Sequence, residues 1–159
     1  MKRYFVVVLL VVLSLGTSRR LSAQSNPSVG NWKLNVAKST YSPGPAPKST
    51  SAKIEAAGDG VKNTTEGVAA DGSRIAYSYT GNYDGKPLHI AGTGPNGSDT
   101  ITLKRVDQYT FESTMTKAGK IVETTRTVYS KDGKLRTITA KGTSESGKAM
   151  NNVTVYERQ

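Results

Sequence analysis

Two-residue turn signals punctuate the chain from Ser49 onward, at Asp59-Gly60, Asp71-Gly72, Asp84-Gly85, Asn96-Gly97, Ala118-Gly119, Asp132-Gly133 and Ser146-Gly147. The Asx-Gly pairs among them reach the positive φ that a tight hairpin requires, so each predicts a reversal between antiparallel strands. The runs between them are rich in Thr, Val, Ile and Tyr, residues that suit a pleated backbone. Turns at roughly dozen-residue intervals set the rhythm of an antiparallel meander. Past the first residues, no window carries the apolar spacing of an amphipathic helix. The expected fold class is therefore all-β, an up-and-down meander barrel with little helix. About ten strands are predicted, over about 30–36, 49–57, 61–69, 73–82, 86–92, 98–106, 108–117, 120–130, 134–142 and 149–157.

Alternation along these runs places Ile75, Tyr77 and Tyr79 on one face, Ile101 and Leu103 on another, Tyr109, Phe111 and Met115 on a third, and Val153 and Val155 on a fourth. Thr, Ser and Asn fill many remaining positions on both faces. With 35% hydrophobic residues, a dry sandwich core would be thin. A closed barrel with a partly polar interior fits better, because closure satisfies strand edges and polar inner groups can meet water or ligand. The segment Ser42-Pro43-Gly44-Pro45-Ala46-Pro47 lacks the donors a sheet ladder needs, so residues 42–48 read as an extended linker between the first two strands, in preference to a lid.

The chain opens with Met1-Lys2-Arg3, an apolar run from Tyr4 to Leu13, and a polar stretch that includes Ser14, Thr17 and Ser18. That order is the pattern of a cleavable export signal, over residues 1–23 with the cut after Ala23. Its apolar core is too short for a permanent span of roughly 20 residues. Arg19 and Arg20 follow the apolar core, so they read as spacer and not as a twin-arginine signal. Residues 24–159 would then form one domain, secreted or periplasmic. There is no cysteine, so neither a disulfide nor a thiolate site nor a lipid-modified N-terminal cysteine can be built. The formal charge of +10, less the four basic residues Lys2, Arg3, Arg19 and Arg20, leaves about +6. The cations are dispersed, without the basic aromatic strip of a nucleic-acid binder. The expected protein is a monomer with no nucleic-acid partner, no stable membrane anchor and no cofactor.

Gly30-Asn31-Trp32-Lys33-Leu34 carries a Gly-x-Trp signature, and the chain ends with Val155-Tyr156-Glu157-Arg158 before Gln159. Between them lie Gly119 to Arg126 and Asp132-Gly133-Lys134-Leu135. Together these resemble the lipocalin superfamily, and the order and endings resemble its ten-stranded fatty-acid-binding branch, with small exported bacterial lipocalin-like proteins as the nearer kin. The resemblance implies a barrel that binds a small molecule and is not an enzyme. It implies a helical lid between the first two strands, but here that place holds the Pro-rich segment. It also implies an arginine two residues before the final-strand tyrosine, where this chain has Thr154 before Tyr156, so that carboxylate clamp does not carry over.

An interior anchor would come from Arg126, Arg105 or Arg136, with Tyr77, Tyr79 or Tyr156 as hydroxyl partners, because a guanidinium fork binds carboxylates and phosphates through paired hydrogen bonds. Arg126 leads, since alternation aligns it with Val122 and Val128; the competing reading pairs it with Glu112 on the outer surface. Trp32 reads as a packed plug at the barrel base. The sole histidine, His89, lies between Leu88 and Ile90, on the face opposite both, which fits a structural or solvated residue better than a catalyst or metal ligand. Glu55, Glu66, Glu112 and Glu123 have no spacing that demands paired-carboxylate chemistry. Gly92-Thr93-Gly94-Pro95-Asn96-Gly97 matches the letters of a dinucleotide fingerprint but reads as a turn between strands. The leading function is binding of a small amphipathic or anionic ligand. The alternative is a cell-envelope module that meets anionic polymers through its basic surface.

Overall fold

The computed structural model describes residues 26–159. The export signal expected over residues 1–23 and its cut site lie outside that range. The strands are β1 (Gly30–Thr40), β2 (Ser49–Ala57), β3 (Gly60–Val68), β4 (Arg74–Gly81), β5 (Leu88–His89), β6 (Ala91–Gly92), β7 (Thr100–Arg105), β8 (Thr110–Lys117), β9 (Lys120–Tyr129), β10 (Leu135–Thr143) and β11 (Ala149–Arg158). A single 3₁₀ turn at Pro95–Gly97 is the only helical element among the described residues. The sheet is antiparallel and all-β throughout, ordered β5-β7-β8-β9-β10-β11-β1-β2-β3-β4-β6.

The two ends of that order are adjacent in sequence, and this closes the barrel. Leu88 and His89 pair with Ile101 and Thr100 of β7, and after Ile90 the chain crosses to pair Ala91 and Gly92 with Ser78 and Tyr77 of β4. One short bent stretch thus serves both neighbours, so the eleven segments amount to ten staves, and each sheet edge finds a partner. Ile90 marks the crossover and is almost fully buried. Tyrosines and threonines dilute the apolar alternation because the inner surface is not uniformly dry.

One end of the barrel is plugged. Trp32, Phe111 and Tyr129 pack there, with ring centroids 5.3 Å apart for Trp32 and Tyr129 and 5.5 Å for Phe111 and Tyr129. The N-terminal strap crosses beneath them, and the Trp32 indole N–H donates to the Ser28 carbonyl at 2.8 Å. This is the base plug expected of Trp32.

Two local expectations need correction. The first hairpin turns at Gly58, which has φ +57, and not at Gly60. Gly60 already pairs with Ala57, and a Cβ there would meet the Gly81 carbonyl. On β11 the inner positions are Asn152, Thr154 and Tyr156, in line with the interior place expected of Tyr156, and the face shared by Val153 and Val155 points outward. The Pro-rich segment is more than a linker: Tyr41, Pro45 and Pro47 line the mouth of the cavity described next.

Candidate functional site

The barrel encloses a cavity of about 980 Å³, at the upper end of the range for small-molecule sites. Its mouth is formed by the β1–β2 segment, the β3–β4 turn, the Thr93–Gly97 loop and the β10–β11 turn. The wall mixes apolar residues such as Ile54, Val61, Ile101, Leu103 and Met115 with buried Thr50, Asn63, Thr65 and Thr127. A polar interior of this kind is what the sequence composition implies.

Arg136 is the cation of this interior. On β10 it stands opposite Tyr129 of β9 and Tyr156 of β11, and alternation carries Ile138 and Ala140 inward with it. Its guanidinium lies 5.4 Å from the centre of the Tyr156 ring, within cation–π range. The phenols that share this interior are those of Tyr129, Tyr79, Tyr156 and Tyr77. Among the described residues it has no carboxylate partner, and its Nε is buried without a hydrogen-bond acceptor. An arginine stays protonated in a protein, so this is a positive charge set among phenols with part of its donor fork unused. The tyrosines remain neutral, since burial raises the ionisation of Tyr77, Tyr79 and Tyr156 above the usual phenol range. They act as dipoles and donors and not as counter-charges. Among the described residues, the Asn63 Oδ1 is a second buried atom in the wall without a partner.

The other two arginines expected inside lie outside. Arg126 is half exposed and pairs with Glu112 across the β8–β9 ladder at 2.7 Å. The inner face of β9 is instead Glu123, Thr125, Thr127 and Tyr129. Val128, which shares the parity of Arg126, is itself exposed. Arg105 is exposed too, donating to the carbonyls of Asp107 and Gln108 in the β7–β8 turn and lying 5.5 Å from the Phe111 ring centre. Tyr77, Tyr79 and Tyr156 do line the cavity. Of the six anticipated residues, the fold gathers Arg136 with these three tyrosines and turns Arg126 and Arg105 out. His89 is exposed on the closing segment, opposite in direction to buried Ile90.

No family model matches the sequence, and no curated protein matches it. Among solved structures the chain is similar to the siderocalin Ex-FABP, described as functioning through dual ligand specificities, at 11% identity over 84% of this chain and 71% of that one, with a TM-score of 0.35. With overlap that partial, the likeness adds nothing to what the strand order and side chains establish.

The residue that the sequence leaves undistinguished is Glu123. It is buried in the cavity wall, six residues before Tyr129 on β9 and opposite Met115 of β8. Asn96, at the tip of the mouth turn with φ +54, donates its amide to Glu123 Oε2 at 2.7 Å. Burial pushes the Glu123 carboxyl up to about 7. Parity with Tyr129 along one strand is the signal that could have placed it: residues 123, 125, 127 and 129 share a face.

Proposed function

We propose that this chain is an exported lipocalin-like barrel that binds a small amphipathic molecule, with an acidic group of the ligand held at Arg136 and its apolar body along the Ile54, Val61, Ile101 and Leu103 wall. The observation that carries this reading is the buried guanidinium. It lies in a large cavity, lacks an acidic partner and keeps an unused donor. A buried cation with no counter-charge is costly, and a carboxylate or phosphate would complete the fork through charge-assisted hydrogen bonds. Tyr77, Tyr79 and Tyr156 line the same cavity and add hydroxyls to it. Export rests on the Met1–Leu13 pattern.

The outer surface supports a polymer-binding role less well. Lys38, Lys53, Arg74, Lys86 and Arg126 are each paired with a neighbouring acid, and the remaining cations are dispersed along the chain instead of forming the single basic run such a role would use. The reading is tested by titrating purified protein with 8-anilinonaphthalene-1-sulfonate, an anionic apolar probe, alongside the Arg136→Gln variant. Saturable binding that the substitution weakens at least tenfold supports the proposal. A wild-type barrel that takes up no probe, or one indifferent to the substitution, defeats it.

A further inference from the structure

The inner wall of the cavity has two charged poles of opposite sign, Arg136 and Glu123, that do not neutralise each other, while Asp71, Arg74 and Glu145 lie at its mouth. Glu123 pairs across the sheet with Gly142, and Tyr129 with Arg136, so six strand residues separate the poles. At about 3.3 Å per residue that is roughly 20 Å along the strands. Arg136 sits among tyrosines near the plug, and Glu123 sits beneath the mouth turn. Among the described residues no cation reaches Glu123, and its one donor is the Asn96 amide, which it shares with the Met150 sulfur at 3.6 Å. A carboxylate offers about four acceptor sites over its two oxygens. Oε1 receives none of the hydrogen bonds made by the described residues.

A wall built for a plain apolar tail would carry a methylene or methyl group at this position, as Met115 and Ala140 do nearby. A carboxylate there costs desolvation that only a donor can offset. Asn96 supplies part of that compensation from the short mouth turn, and leaves the second oxygen for whatever occupies the cavity.

Resting on the reading of Arg136 given above, we propose that Glu123 is a second anchor and that the ligand is an elongated amphiphile with an acid at one end and an amine or hydroxyl at the other. The acid meets Arg136 at depth, the chain lies along the apolar wall, and the distal donor meets Glu123 under the Asn96 turn. Each pole of the cavity then finds its complement in one molecule.

The test uses dodecanoate, ω-hydroxydodecanoate and ω-aminododecanoate, since a twelve-carbon chain advancing about 1.2 Å per single bond, with a hydrogen bond of about 2.9 Å at each end, spans roughly 20 Å. Calorimetric titration near pH 8 should show the two ω-substituted acids binding roughly tenfold more tightly than dodecanoate, the value of one hydrogen bond to a charged group. Glu123→Gln should bring those ratios close to one. Arg136→Gln should weaken all three probes while preserving the ratios. Equal affinities in the wild type, or a preference that survives Glu123→Gln, overturn the second anchor. Undiminished binding of all three to Arg136→Gln instead overturns the first anchor, so the two failures are distinct. Carboxyl carbon NMR of wild-type Glu123 probes the same contact without a variant: its resonance should move with ω-aminododecanoate and stay still with dodecanoate. Movement with both probes alike, or with neither, counts against the proposal.

Discussion

The Arg158 guanidinium lies 4.3 Å from the centre of the Trp32 ring, and its nitrogens donate to the carbonyls of Gly133, Val29 and Pro27 at 2.5, 2.6 and 2.9 Å. One side chain from the last strand thus ties together the plug, the N-terminal strap and the β9–β10 turn. It also explains why Gly30, with φ +147, lacks a side chain: a Cβ there would meet the guanidinium. Arg158→Ala leaves three carbonyls without this donor and uncovers the indole. It should cost about 2 to 3 kcal/mol in urea unfolding. Trp32→Ala should cost about 3 to 5 kcal/mol, as large aromatic truncations in a packed core do. A loss below about 1 kcal/mol for both would show that the barrel does not depend on its plug.

Arg136 should behave in the opposite way. Among the described residues its buried Nε has no partner, and replacing a buried charge by an apolar residue of similar volume is often neutral or stabilising. Arg136→Met should leave the thermal midpoint unchanged or raise it, while abolishing uptake of an anionic probe. A large drop in the midpoint would mean that the guanidinium serves as a structural brace and not as a site held ready for a ligand.

Glu123 makes stability depend on pH in a direction unusual for a carboxylate. Its folded-state value near 7 lies above the ordinary 4.5, so between those values the native state holds a proton that the unfolded chain has lost. Stability therefore falls as pH rises from about 4.5 to about 7. At 1.36 kcal/mol per unit, the difference is about 3 kcal/mol in total. Glu123→Gln removes the dependence, so the variant's advantage over the wild type in chemical denaturation should be small at pH 5 and approach that figure at pH 8. Parallel curves for the two proteins would show that the carboxylate is solvated when charged.

Arg126 tests how far the strand pattern can be trusted. It forms an exposed ion pair with Glu112, and such pairs contribute at most about 1 kcal/mol. Arg126→Ala should change stability by less than that and leave probe binding untouched. Its outward position, against the pattern, has a physical cause. The turn residues set the strand number and nearly every boundary, because a positive φ at Gly72, Gly85, Gly119 and Gly133 is a local property. Which face is inner is not local. Where the interior is apolar, as along Ile101 and Leu103 or Phe111 and Met115, alternation points the right way. On β9 and β11 the inner residues are polar and the outer ones include Val128, Val153 and Val155, so the same rule points outward residues in. Arg136 is legible because Ile138 and Ala140 share its parity, whereas Tyr156 shares its face with Thr154 and Asn152 and is legible only through its own aromatic ring. Glu123 becomes legible only once Tyr129 is known to face inward.

The seam of the barrel yields the sharpest stability test. The closing stretch holds its two neighbours through very few residues, Leu88 and His89 on one side and Ala91 and Gly92 on the other. Gly92 makes the crossing feasible: its φ is +88, and a Cβ there would collide with the Ala76 carbonyl oxygen. An alanine would suffer both the dihedral penalty and a backbone collision, and backbone in a sheet yields little. Gly92→Ala should therefore cost more than about 2 kcal/mol. Amide exchange should accelerate at Ser78, Tyr77 and Ala91, while the β9–β10 ladder on the far wall keeps its protection. Gly147→Ala is the control, with φ +78 but open space around the added methyl, and should cost only about 1 kcal/mol. If the two substitutions prove equal, or if exchange at Gly92→Ala quickens uniformly around the barrel, the closure does not hinge on this crossing and the seam is no weaker than the rest of the wall.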